Sequence, residues 1–159
     1  MEFVLAIFNN SKNVAFLQSE AMENLQFCNV HSKKEIMSNL INWFEIPVVD
    51  FDRALNFYRW VLQTEIEVVD CGEEKMGCFP WDGEGVTGAI SLAPGFLPSE
   101  NGVQITFEGG DDLNYFLDRV EKAGGKIVRP KTKIEAEGRG YFAQFMDTEG
   151  NRLGVYSQF

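Results

Sequence analysis

The 159-residue sequence contains a single histidine, His31, and three cysteines with no Cys-x-x-Cys spacing. Structural zinc centres typically carry Cys-x-x-Cys pairs, so this pattern does not imply one. Cys28, Cys71 and Cys78 are also odd in number, which argues against a disulfide framework. We expect all three to be reduced, buried thiols, as in proteins of a reducing compartment.

Long apolar runs and positive charge are scarce as well. No stretch approaches the roughly 18 apolar residues of a membrane-spanning helix. The 14 Lys and Arg residues stand against 24 Asp and Glu residues, which gives a net charge of −10. This charge repels phosphate backbones and anionic lipids, so we expect no nucleic-acid partner and no membrane association. The composition is that of a soluble globular protein, and the lack of a signal-peptide pattern favours a cytoplasmic location.

The first 36 residues differ in composition from the rest of the chain. They hold one short apolar run, Phe3 to Phe8, and are otherwise rich in Asn, Ser, Lys and Glu. This composition predicts an N-terminal extension, residues 1–36, that is loosely packed or disordered. The alternative is an extra strand or helix that packs on the domain, which we place at residues 37–159.

A strand that runs directly into a helix organises the domain. Residues 42–48 alternate their side chains between two faces, which predicts a strand. Asp50 then provides a helix N-cap, and Asp52 adds negative charge at the positive end of the helix dipole. The helix is predicted over residues 51–62, because its apolar residues recur at i, i+3, i+4 and i+7: Ala54, Phe57, Tyr58 and Val61.

The same order of elements recurs in the second half of the chain. Strands are predicted at 65–69, 75–81 and 87–93, followed by a linker over 94–101. A strand at 103–107 then precedes a helix that Asp111 and Asp112 cap and Gly124 ends. Further strands are predicted from 126, at 141–146 and at 152–156. The sequence therefore predicts an α+β protein of two βαβββ modules, at about 40–94 and 102–158, whose sheets cup around a cleft.

Two loops carry incomplete motifs. Gly83 to Gly88 fits G-x-G-x-x-G, but no helix follows it, so a hairpin loop is the better interpretation than a dinucleotide site. Asp147 to Asn151 lacks the residue order of a calcium loop. We therefore expect a solvated turn there.

Four stretches resemble one known superfamily. They are Phe-Glu-Ile-Pro-Val-Val-Asp-Phe-Asp-Arg-Ala-Leu-Asn-Phe-Tyr at 44–58, Ala-Gly-Gly-Lys-Ile-Val at 123–128, Pro-Lys-Thr-Lys-Ile at 130–134 and Asp-Thr-Glu-Gly-Asn-Arg-Leu-Gly-Val-Tyr at 147–156. The resemblance is to the vicinal oxygen chelate superfamily of glyoxalase I, extradiol dioxygenases and bleomycin-resistance proteins. Within it, the sequence is most similar to small proteins described as related to lactoylglutathione lyase. The resemblance implies the glyoxalase/bleomycin-resistance fold.

The resemblance also locates the metal centre that many members have. They hold one divalent ion with four His, Gln or Glu side chains that face the cleft. The matching positions, of which the middle two follow from the strand pattern, are Trp43, Ser91, Val103 and Gly154. The side chains at these four positions are an indole, a hydroxyl, an isopropyl group and a hydrogen atom. None of them can replace an imidazole or carboxylate as a metal ligand. We therefore expect no metal and no other cofactor.

The remaining candidate residues follow from alternation along the outer strands. Trp43 and Glu45 are expected to face the cleft from the first strand, and Arg152 and Tyr156 to flank Gly154 on the last. Glu45 is a candidate catalytic base. The alternative is that Glu45 pairs with Arg152 or with a backbone donor and only fixes the shape of the cleft.

Three functional hypotheses remain. The first is a small-molecule-binding protein that lacks the metal ligands of the superfamily, with a site formed by Trp43, Glu45, Ser91, Val103, Arg152, Gly154 and Tyr156. The second is a metal-independent lyase or isomerase that acts through Glu45. The third is a regulatory or partner-binding module with a vestigial cleft. We also expect a homodimer, because clefts in this superfamily are commonly completed by a second chain.

Overall fold

The computed structural model describes residues 39–159, so the expectations for residues 1–36, including His31 and Cys28, lie outside the described residues. The described residues form two successive βαβββ modules. The first contains β1 (Trp43–Pro47), α1 (Phe51–Leu62), β2 (Glu67–Asp70), β3 (Lys75–Cys78) and β4 (Thr87–Leu92). The second contains β5 (Thr106–Glu108), α2 (Leu113–Lys122), β6 (Lys126–Lys133), β7 (Tyr141–Met146) and β8 (Arg152–Ser157). The two-module α+β prediction is confirmed.

Each module forms its own four-stranded sheet. The strand orders are β1-β4-β3-β2 and β5-β8-β7-β6. The first strand of each module pairs in parallel with the last, and the other pairs are antiparallel. Within residues 39–159, neither helix has the length and apolar character needed to cross a membrane.

The two helices begin at the predicted caps. The Asp50 carboxylate accepts a hydrogen bond from the Arg53 N–H at 3.0 Å, and the Asp112 carboxylate accepts one from the Asn114 N–H at 2.9 Å. Each cap satisfies a backbone donor that has no partner inside the helix. Gly124 follows α2 with a φ of 91°, a left-handed conformation that glycine adopts without a steric penalty.

The helix-facing sides of both sheets share one apolar core. Tyr58 of α1 packs edge-on against Phe79, with the ring centroids 5.8 Å apart, and also contacts Phe107 of the second module. Phe57 of α1 lies 6.4 Å from Phe145 of β7, between their ring centroids. Because both helices lie on this core, neither helix covers the opposite faces of the two sheets.

The turn from Asp147 to Asn151 is not solvated, contrary to the sequence-based expectation. Asp147 and Asn151 are each 5% exposed. The Asp147 carboxylate accepts hydrogen bonds from the Tyr58 hydroxyl at 2.6 Å and from the Asn151 N–H at 2.8 Å. The Asn151 side chain in turn donates to the Pro47 carbonyl at 2.9 Å and accepts from the Ser99 N–H at 3.2 Å. The turn therefore connects β1, α1, the linker and β8.

Glu149 extends this connection to the start of α1. Its carboxylate accepts hydrogen bonds from the N–H groups of Val49 and Asp50, at 3.1 and 2.9 Å. The Arg53 guanidinium donates two more, at 2.8 and 3.0 Å. The Glu149 side chain is fully excluded from solvent, so these donors depend on its carboxylate as their hydrogen-bond acceptor. We call the set of Val49, Asp50, Arg53 and Glu149 the inter-module clamp.

Two sequence-based expectations are wrong in detail. The strand expected at 103–107 is shorter, because the parallel register pairs Thr106 with Gly154 and leaves Val103 without a strand partner. The cysteines Cys71 and Cys78 are unpaired as expected, but Cys71 is exposed and Cys78 is half-buried. Cys78 lies opposite Glu67 in the β2–β3 ladder.

Candidate functional site

A cavity of about 820 Å³ lies between the two modules. Its walls come from β1, the linker, the segment before β5 and the start of β8. Most of the lining is apolar, and exposed apolar side chains from both modules surround it: Ile41, Trp43, Val86, Phe96, Leu97 and Val103. An apolar concavity with few polar groups is the usual form of a small-molecule site.

Trp43 and Glu45 line this cavity from β1, together with the residues between them. The Trp43 indole N–H donates a hydrogen bond to Glu45 Oε1 at 3.1 Å. This bond orients the indole, which is 40% exposed and presents an aromatic surface to the cavity. Within the described residues, Glu45 does not form the alternative ion pair with Arg152. Glu45 Oε2 makes no hydrogen bond to another described residue.

Arg152 and Val103 also line the cavity. Arg152 is exposed and forms no ion pair with a carboxylate in the described part of the chain. Val103 is 92% exposed and precedes β5, so it contributes to the mouth of the cavity and not to a strand that faces it.

The three remaining candidate positions do not line the cavity. Ser91 is fully buried, and its hydroxyl donates to the Glu74 carboxylate. The Tyr156 hydroxyl donates to Gln158 Oε1 at 2.8 Å and lies beside the Gly140 N–H. Gly154 is buried beneath two side chains of the neighbouring segment, Gln104 and Thr106.

A side chain at position 154 would require Thr106 and Gln104 to move. A Cβ added there would lie 2.6 Å from Thr106 Oγ1 and 2.7 Å from Gln104 Nε2. Gln144, which pairs with Gly154 across the β7–β8 ladder, donates a hydrogen bond from Nε2 to Gln104 Oε1 at 2.6 Å. The space beside the position that the resemblance assigns to a metal-binding side chain is therefore taken by amide and hydroxyl groups.

The residues present do not fit the metal of the superfamily. No group of three His, Cys, Asp or Glu side chains within residues 39–159 is arranged to hold an ion. Trp43 supplies no lone pair for coordination, and Gly154 is covered by Thr106 and Gln104. No reaction step through a metal follows from this arrangement.

Cys78 is not a suitable nucleophile. It lies on β3 opposite Ala89 of β4 and Glu67 of β2. Burial raises the pKa of the Cys78 thiol, and the negative charge of Glu67 raises it further. The thiol is therefore protonated at neutral pH, whereas nucleophilic attack requires the thiolate.

Several residues of the cavity wall were not predicted from the sequence, among them Gln104, Phe96 and Leu97. Gln104 precedes β5, and Phe96 and Leu97 belong to the linker. Loop composition indicated only a connection, and no periodic pattern marked the side chains that face the cavity. The apolar pair Phe96 and Leu97 within a Pro- and Gly-containing linker was the available signal, because exposed apolar residues often mark a binding surface.

Comparisons with known proteins agree with this geometry. The model of the Glyoxalase/Bleomycin resistance protein/Dioxygenase superfamily matches residues 40–155. A comparison with proteins of curated function found no match.

Solved structures share the fold at low sequence identity. A hypothetical protein from S. aureus is 22% identical, with a TM-score of 0.55 over 77% of this chain and 98% of that one. An antibiotic binding protein, TnmS3 from Streptomyces, is 20% identical, with a TM-score of 0.51 over 77% and 97%. A glyoxalase I mutant from Zea mays is 16% identical, with a TM-score of 0.58 over 74% of this chain and 45% of that one. At these identities the likeness establishes the fold alone.

Proposed function

Because the chain belongs to the glyoxalase/bleomycin resistance protein/dioxygenase superfamily, we propose that it binds a flat, largely apolar small molecule between its modules without a metal ion. The observation that carries this proposal is the apolar cavity of about 820 Å³ with Trp43 oriented in its wall. Because the hydrogen bond to Glu45 already orients the indole, a ligand can stack on the ring at little cost in side-chain entropy. The antibiotic-binding neighbour from Streptomyces is consistent with such a role.

Native mass spectrometry of the gently purified protein is expected to show a bound small molecule. Replacing Trp43 with alanine should weaken its binding at least about tenfold, because an aromatic anchor in a desolvated pocket carries much of the binding energy. Trp60→Ala is the matched control, since Trp60 is a half-exposed residue of α1 that does not line the cavity. Equal retention of the molecule by the two variants would place the binding site elsewhere.

The same preparation distinguishes this proposal from metal-dependent chemistry. Metal analysis after dialysis, with thermal shifts in nickel, zinc, manganese and iron(II), should show no stoichiometric ion. The hemithioacetal of methylglyoxal and glutathione should not be isomerised. One tightly bound ion per chain that is lost on Glu45→Ala would overturn metal-free binding and favour an enzyme.

A metal-independent lyase or isomerase is the second candidate. It is favoured by Glu45, the single acidic residue among the described residues that line the cavity. Glu45 Oε1 accepts the indole hydrogen of Trp43, and Oε2 is left to take a proton from a substrate. Conversion of the co-purified molecule by the wild type and not by Glu45→Gln would favour this candidate.

A homodimer formed through the cavity mouth is also part of the proposal. Ile41, Leu97 and Val103 are exposed there and gain from burial against a second chain. The outer strand β6 is less suited to pairing, because Pro130 lacks an N–H and the β6–β7 register shifts around it.

Light scattering is expected to give about twice the 18.0 kDa mass of one chain at micromolar concentration. Val103→Glu should shift the mass toward the monomer, because a charge at the mouth opposes apolar burial. Tyr115→Glu, at an exposed position on α2, should leave the mass unchanged. A monomeric wild type would overturn the dimer proposal.

A further inference from the structure

Three hydrogen-bond donors are gathered around the missing side chain of Gly154. Thr106 Oγ1 and Gln104 Nε2 lie within 2.7 Å of where its Cβ would stand. Arg152, two residues earlier on β8, projects from the same sheet face because side chains alternate along a strand. Gln104, Thr106 and Arg152 all line the cavity. We call these three residues the donor cluster.

The amide of Gln104 is oriented to donate. Its Oε1 accepts the hydrogen bond from Gln144 Nε2 at 2.6 Å, so its own NH₂ group lies on the other side of the amide plane. That nitrogen has no acceptor among the described residues. An oriented donor on a cavity wall, with no internal acceptor, is available to an acceptor on a ligand.

The positive charge of Arg152 is likewise uncompensated. The chain carries a net charge of −10, yet no carboxylate in residues 39–159 forms an ion pair with this guanidinium. Arg presents several N–H donors in a plane, which matches the two oxygens of a carboxylate. Glu45, the acidic residue of the cavity wall, already accepts the Trp43 indole hydrogen.

From this arrangement we infer that the donor cluster is an oxyanion subsite: it binds a carboxylate or phosphate group carried by an aromatic ligand whose ring stacks on Trp43. The inference rests on the proposed function, because it names the ligand class of the same cavity. The ligand is a planar aromatic acid. Because Gly154 has no side chain, Gln104 has room beside it. Hydrogen-bond donors therefore lie at the position that the resemblance matches to a metal ligand.

The test uses three probes of one shape: 2-naphthoate, the neutral 2-naphthamide and the cationic 2-naphthylmethylamine. Isothermal titration at pH 7.5 with the full-length protein is expected to show naphthoate binding at least about tenfold more tightly than naphthamide, as a charge-assisted hydrogen bond allows. Arg152→Gln should remove this preference and leave the affinity for naphthamide unchanged. Arg139→Gln, at an exposed arginine outside the cavity, is the matched control.

Two further variants separate the donors from the aromatic wall. Gln104→Glu retains the size of the side chain and should repel naphthoate while naphthamide still binds. Trp43→Ala should weaken both probes together. A parallel titration with 2-naphthyl phosphate identifies which oxyanion the donor cluster prefers.

Several outcomes would overturn the inference. Equal affinity for naphthoate and naphthamide, with no effect of Arg152→Gln, would show that the donor cluster is not an oxyanion subsite. Binding that depends on Trp43 would be unaffected by this result. Preference for the ammonium probe would assign charge recognition to Glu45 instead. Failure of all probes to bind would rule out a planar aromatic acid as the ligand class. The proposed function would still be tested separately, by the co-purified molecule in native mass spectrometry.

Discussion

Replacing Glu149 with glutamine is expected to lower the free energy of unfolding by about 3 kcal/mol. The carboxylate is fully excluded from solvent and accepts hydrogen bonds from the backbone N–H groups of Val49 and Asp50 and from Arg53. Glutamine retains one acceptor oxygen and turns an NH₂ group toward donors that need an acceptor. Urea denaturation followed by tryptophan fluorescence measures the change.

The control is the same substitution at an exposed ion pair. Glu65 is 98% exposed and lies 3.8 Å from Arg59 Nε, so Glu65→Gln should change the stability by less than about 0.5 kcal/mol. Equal losses for the two variants would mean that the inter-module clamp contributes no more than a surface pair.

The effect of Glu149→Gln should depend on pH. Burial raises the pKa of the Glu149 carboxyl, but hydrogen bonds from Arg53 and from the N–H groups of Asp50 and Val49 outweigh burial and hold the pKa below its usual value. A carboxyl with a lowered folded-state pKa adds stability above its unfolded pKa, about 4.3, and this stability is lost as the pH falls through the folded-state pKa. The difference between the wild type and Glu149→Gln should therefore be complete at pH 7 and shrink below about pH 4. A difference that stays constant down to pH 2.5 would argue against the charge as its origin.

Gly88→Ala is expected to cost about 3 kcal/mol of stability or more, although alanine normally stabilises a strand relative to glycine. A Cβ at Gly88 would lie 2.2 Å from the Phe44 carbonyl oxygen and 2.7 Å from Cδ2 of its ring. Relief of this overlap moves β1 away from β4 and displaces Phe44 from Phe79 and Phe107, whose ring centroids lie 5.9 and 6.3 Å away. Thermal unfolding measures the loss, and the adjacent Trp43 should bind ligand less well.

Gly102→Ala is the matched control for this substitution. The nearest atoms to a Cβ at Gly102 belong to Ser99, at 3.9 Å, and Gly102 has no positive φ. Its replacement should be neutral within about 0.5 kcal/mol or slightly stabilising, because alanine restricts the unfolded chain. A Gly88→Ala variant that unfolds at the same temperature as Gly102→Ala would show that β1 adjusts freely.

Local patterns in the sequence predicted the helices well and the short strands less well. The bounds of α1 match because the cap at Asp50 and the period of the apolar residues are both local signals. The strand expected from Val103 is shorter because alternation requires a partner strand. Here β8 begins only at Arg152, and its register pairs Thr106 with Gly154, so Val103 falls opposite Asn151, outside β8, and has no strand partner.

The site depended more on distant contacts than on local pattern. Alternation predicted that Trp43 and Glu45 face the cleft, whereas the cavity is lined by all five residues of β1. Gln104 was missed, because its position depends on the absent side chain of Gly154 and on Gln144, 40 residues away in the sequence. Glu149 was assigned to a solvated turn because its partners lie 96 to 100 residues away and leave no trace in the local sequence.

The hydrogen bonds of Asn151 affect how quickly a ligand can enter and leave. Asn151 donates to the Pro47 carbonyl of the first module and accepts from the Ser99 N–H of the linker, so a hinge motion of one module against the other would break hydrogen bonds of a buried side chain. Domain opening on the microsecond-to-millisecond timescale is therefore disfavoured. In a single chain, rotamer changes of the exposed side chains at the mouth, such as Leu97, occur in picoseconds to nanoseconds and admit a ligand without a hinge motion. In the proposed dimer the second chain covers this mouth, so a ligand enters or leaves only when the two chains separate, and the residence time of the ligand follows the lifetime of the dimer.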